Sequence, residues 1–120
     1  MKQISAKNVF TVSAWMKQQN GEKLKDLPEI SALDDGRFKC ELFIPGVEVL
    51  VACAGNTRLE AVDRLFTKAV SEIKKYCSEK GLEAPTTLIG DKLIICEEDN
   101  KLEWGINPKY SSKNKISELL

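Results

Sequence analysis

Histidine is absent from the 120 residues, and this absence closes the commonest routes to both catalysis and metal binding. Ser/His and Cys/His nucleophile pairs lose the base that would accept the proton. Cys/His zinc sites lose part of their ligand set. The four cysteines, Cys40, Cys53, Cys77 and Cys96, are dispersed with no CxxC pair, so an all-cysteine zinc site lacks the closely spaced ligands it normally uses. They read as reduced thiols of a cytoplasmic core. Long apolar runs are also missing, which excludes a bilayer-spanning helix. The segment MKQISAKNVF has no continuous apolar stretch after its lysines and does not read as a secretory signal, so a cytoplasmic setting is expected. An excess of either charge is lacking too, because eighteen basic and eighteen acidic residues cancel. Dedicated nucleic-acid binders usually carry a basic surplus that releases counterions from phosphate.

Other chemical signatures fail in the same way. Gly55-Asn56 and Gly90-Asp91 are isolated glycines and build no phosphate-cradling loop. Asp34-Asp35 and Glu97-Glu98-Asp99 read as acidic turns, without the ligand spacing of an EF-hand. No catalytic residue, metal or cofactor is expected, and the protein reads as a non-enzyme.

What is present is the patterning of one α+β domain. Hydrophobic residues make up 42% and charged residues 30%, ordinary globular usage in a chain long enough to bury one core without staples. Residues 8–19 place Val9, Val12 and Met16 at helical spacing, and Asn20-Gly21 supplies a stop. Pro28 leads into a short strand over residues 29–33, which Asp34-Asp35-Gly36 ends. Residues 37–44 alternate, with Phe38, Cys40, Leu42 and Ile44 on one side. After Pro45-Gly46 the alternation resumes with Val47, Val49, Val51 and Cys53. A tight turn pairing Ile44 with Val47 would put both apolar sets on one face. Thr57 and Glu60 form a capping box, and a long amphipathic helix then runs to Gly81. Past Pro85 the pattern gives an extended piece at residues 87–89 and a hairpin over residues 92–97 and 102–106. The expected organisation is a core at residues 1–81, a β-hairpin extension of the same domain at 82–106, and a polar, mobile tail at 107–120.

The order helix, three strands, long helix, with the words LPEISAL, RFKCELFIPG and VEVLVACAGNTRLEA, resembles the double-stranded RNA-binding domain family over roughly residues 8–80. Pro28-Glu29, Pro45-Gly46 and the helix entry at Asn56 to Ala61 fall at matching places. The resemblance implies an α-β-β-β-α arrangement, with an antiparallel sheet packed on its helices. It also implies a degenerate RNA surface. The family's KKxAK pattern falls on Arg58, Leu59, Glu60, Ala61 and Val62, one cation with one carboxylate, and its GPxH loop falls on Asp34-Asp35-Gly36. Gln18, Gln19, Arg58 and Arg64 are the residues left to meet duplex RNA, which is recognised through spaced contacts to its shape.

IPGV followed by GNTRLEAVDRLFTKAVSEIKKY is also similar to HicB-type antitoxins, with Gly55, Thr57, Glu60 and Ala61 matching the helix-entry motif. That resemblance implies a small toxin protein as partner. Taken together, the chain is expected to be a non-catalytic binding module on a double-stranded-RNA-binding-domain-like scaffold, with a protein partner or homo-oligomer first and RNA as the alternative. Phe43, Leu50 and Trp104 are the candidate partner-binding residues. They either form an apolar surface or lie beneath the C-terminal hairpin as a second core layer.

Overall fold

The computed structural model describes residues 2–24, 26–86, 92–99 and 101–107. The expected extension at 87–89 and the tail from residue 108 onward lie outside them. Among the described residues, two helices and two antiparallel three-stranded sheets make up an α+β architecture.

Strand β1 (Lys2–Ser5) leads into helix α1 (Lys7–Asn20). Gly21, at φ 77°, caps α1 by donating its N–H to the Lys17 carbonyl at 2.7 Å. Val9, Phe10, Thr11, Val12, Ser13 and Trp15 of this helix are all buried. Burial so far around the helix explains why its apolar residues form no single stripe. The connector that follows is tied back to α1 by the Leu24 N–H, which donates to Ser13 Oγ at 3.1 Å.

Strands β2 (Ile30–Ala32), β3 (Phe38–Ile44) and β4 (Val49–Gly55) form a meander in the order β2-β3-β4. Burial alternates along β3 and β4: Cys40, Ile44 and Val51 are buried, whereas Lys39, Glu41, Phe43, Leu50 and Ala52 are exposed. The register corrects the expected hairpin. Ile44 pairs with Val49, not Val47, and Cys40 pairs with Cys53. The connection takes four residues. Pro45 is followed by Gly46 at φ 83°, Glu48 adopts φ 59°, and the Glu48 N–H closes onto the Ile44 carbonyl at 2.8 Å. Lengthening the loop by two residues preserves side-chain parity, so the apolar faces still coincide.

Helix α2 (Arg58–Lys80) is entered through Thr57, whose hydroxyl accepts the Glu60 N–H at 3.0 Å. The Glu60 carboxylate reaches back to the Asn56 N–H at 3.4 Å, one residue before the position a standard capping box would use. At the other end Leu82 N–H bonds the Cys77 carbonyl (2.8 Å) and Gly81 N–H the Ser78 carbonyl (3.4 Å), a Schellman stop. Thr57→Ala is expected to cost about 1 kcal/mol, read as a lower urea midpoint with an unchanged slope.

Strands β5 (Leu93–Glu98) and β6 (Lys101–Ile106) form the expected C-terminal hairpin, but its placement differs from a covering layer. β5 pairs with β1 in the order β1-β5-β6, Ile4 opposite Ile95, so the hairpin builds a second sheet. Leu93, Ile94 and Ile95 are buried, and Leu93 and Ile95 join the core. Helix α2 packs on β3 and β4 and also touches α1, β1 and β5. One core therefore binds both sheets to the helices.

Candidate binding surface

The sheet β2-β3-β4 has an inner face closed by the helices and an outer face that no other described residue covers. Phe43 and Leu50 sit there directly opposite each other in register. They are 50% and 58% exposed. Ala52 is exposed beside them, and along β3 the same face carries Glu41 and Lys39, whose side chains form an exposed ion pair at 3.0 Å. Such a pair contributes at most ~1 kcal/mol. The hairpin that would have hidden Phe43 and Leu50 is engaged with β1 instead.

Strand β4 is also an edge, since its only sheet neighbour among the described residues is β3. Over VLVACAG it carries no charge and no proline, the usual protections of an open edge. Arg64 Nη1 donates to the Ala54 carbonyl at 2.9 Å, so this carbonyl points away from β3. Alternation along an antiparallel strand then turns the backbone groups of Leu50 and Ala52 the same way.

The third candidate partner residue stands apart from this face. Trp104 is half-buried against the core, its ring 6.5 Å from that of Phe10. It borders a different feature, a groove of about 400 Å³ lined by Asp26, Leu27, Pro28, Ile30, Arg58, Leu102 and Trp104. Arg58 stacks its guanidinium 4.4 Å above the Phe38 ring and makes no ion pair among the described residues. Thus Arg58 and Trp104, assigned from sequence to different ligands, share one groove.

The four candidate RNA residues do not converge. Gln19 lies against Gly46, at the β3–β4 turn, where a Cβ on the glycine would meet Gln19 Oε1 at 2.5 Å. Arg58 lies over Phe38, at the other end of β3. Gln18, next to Gln19 at the end of α1, is exposed. Arg64 is committed to Glu60 at 2.8 Å and to the Ala54 carbonyl. In the β2–β3 turn, hydrogen bonds from the Arg37 backbone and then its side chain hold the Asp35 carboxyl below its usual range. That turn stays acidic.

Cys40 and Cys77 lie in the core and Cys53 packs against it, whereas Cys96 lies on the face of β5 opposite to Leu93 and Ile95. Burial, then the nearby Cys53, pushes the Cys40 thiol up to about 11, which suppresses its thiolate at neutral pH. Burial, then Glu98 and Glu103, raises Cys96. Among the described residues no group of three or more Cys, Asp or Glu is placed to hold a metal ion, and no helix is long and apolar enough to cross a membrane. Compared with protein-family models, curated proteins and solved structures, the chain matches none.

Proposed function

We propose that the protein is a non-catalytic binding module on a double-stranded-RNA-binding-domain-like scaffold, whose working surface is the open face of the β2-β3-β4 sheet and whose ligand is protein. The observation that carries this is the Phe43–Leu50 pair, two large apolar side chains adjacent in register and half or more exposed. Isolated exposed apolar residues are ordinary, but adjacent ones beside an uncharged strand edge are a surface that association would desolvate. Against RNA stand the wide separation of Gln19 from Arg58 and the engagement of Arg64 with Glu60.

The test is the double variant Phe43→Ser/Leu50→Ser. Both side chains face solvent, so its thermal midpoint should stay close to that of the wild type, while self-association by light scattering or partner recovery from host extract should fall at least about tenfold, as the loss of two interface anchors predicts. A wild-type protein that is monomeric and recovers no partner would sink the proposal. Retardation of duplex RNA at low salt, abolished by Arg58→Glu, would replace it with the RNA alternative.

A further inference from the structure

We infer that the protein partner is a second copy of the chain, joined through the β4 edge that borders this surface, about a two-fold axis that passes beside Ala52. The inference rests on the reading of the β2-β3-β4 sheet as a protein-binding surface and names its partner and geometry. An edge strand presents alternating donors and acceptors, and run antiparallel against itself it is complementary without any change of sequence. Most proteins prevent this with lysine, proline or a bulge. Strand β4 carries neither of the first two, and its ladder with β3 runs from Gly55 to Val49 without a skipped residue.

Side-chain size selects the register. With Ala52 at the axis, each Leu50 of one copy lies opposite Ala54 of the other, and the two alanines at position 52 face each other. Large meets small twice, and small meets small once. The exposed side chains of β4 on this face, Leu50 and Ala52, are apolar, so no like charges are opposed along the seam. Phe43, one strand inward from Leu50, extends the apolar strip on both sides. The pairing adds about six backbone hydrogen bonds to the rim. Arg64 already occupies the Ala54 carbonyl, but a carbonyl oxygen has a second lone pair for the Leu50 N–H of the second copy. The result is a continuous six-stranded sheet. An interface of one strand edge is smaller than the roughly 800 Å² per partner of a standard complex, so a weak dimer is expected, with Kd on the order of 10 to 100 μM.

The axis makes a specific demand on one residue. Ala52 is exposed, so A52K and A52E should both fold, yet each places two like charges face to face across the axis. Sedimentation equilibrium over about 5 to 500 μM should show dimer for the wild type, at least about tenfold weaker association for either variant alone, and restored dimer in their equimolar mixture. Restoration in the mixture requires position 52 to face itself. A wild-type protein that stays monomeric over this range overturns the second copy, while leaving the open face to a different protein partner, which the Phe43→Ser/Leu50→Ser extract experiment reads separately. A wild-type dimer that A52K leaves intact overturns the β4 axis, while self-association itself stands.

Discussion

Trp15→Ala is expected to destabilise the protein by about 3 to 5 kcal/mol, the range for truncating a large buried aromatic. Trp15 is only 2% exposed and makes two contacts that hold α1 in place. Its indole N–H donates to the Pro45 carbonyl at 2.7 Å, and its ring meets Tyr76 of α2 edge-on, with centroids 5.9 Å apart. One side chain therefore ties α1 to the β3–β4 turn and to the long helix. Domains of this size have only ~5 to 15 kcal/mol of net stability, so the substitution removes a large share of it. Trp15→Phe separates the terms, because it keeps most of the apolar area and loses the hydrogen bond, with an expected cost of about 1 to 2 kcal/mol. Urea unfolding followed by far-UV circular dichroism reads both. If alanine cost under about 1 kcal/mol, the side chain would not be the tie that its geometry indicates.

The same residue shows what was legible in the sequence. Trp15 falls within the helical segment 8–19, but its hydrogen bond to Pro45 depends on a turn thirty residues away. The helices, the meander and the C-terminal hairpin all follow from local periodicity and punctuation. The β3–β4 register did not, because alternation fixes parity alone. A two-residue and a four-residue turn place the same side chains inward, and only the conformations of Gly46 and Glu48 distinguish them. Strand β1 left almost no trace, since KQIS contains one apolar residue and gains its identity from pairing with β5 at the far end of the chain.

The candidate surface was half legible for a related reason. Alternation put Phe43 on the side of β3 opposite to Cys40 and Ile44, yet exposure depended on where residues 93–106 would go. That hairpin carries its own buried run, LII, and finds an edge to pair with in β1. A hairpin with one partner edge and one buried face needs no second sheet to lie on, so the outer face of β2-β3-β4 stays open. The meeting of Arg58 with Trp104 in one groove is a product of the same placement. No local pattern joins residues from α2 and β6.

Gly55→Val is expected to cost about 2 to 4 kcal/mol and to disturb the candidate surface along with the fold. The reason is space, since a Cβ on Gly55 would stand 2.6 Å from the backbone nitrogen of Ala61 and 3.0 Å from the Glu60 carbonyl carbon. These are main-chain atoms of the first turn of α2, which cannot rotate aside as a flexible side chain would. Accommodating the methyl groups means lifting the start of the helix off the end of β4, an overpacking strain of the order of 1 to 3 kcal/mol. The lift also strains the Thr57 cap, which holds the same turn through Glu60 N–H and is worth about 1 kcal/mol. Gly55→Ala should show a smaller loss in the same direction. The functional consequence runs through Arg64, which reaches from that helix to the Ala54 carbonyl on the β4 rim. If helix and strand part, amide exchange at Val51 and Cys53, whose N–H groups face β3, should quicken in Gly55→Val well before global unfolding. Exchange unchanged there, with stability lowered, would mean that the helix start yields without moving the strand.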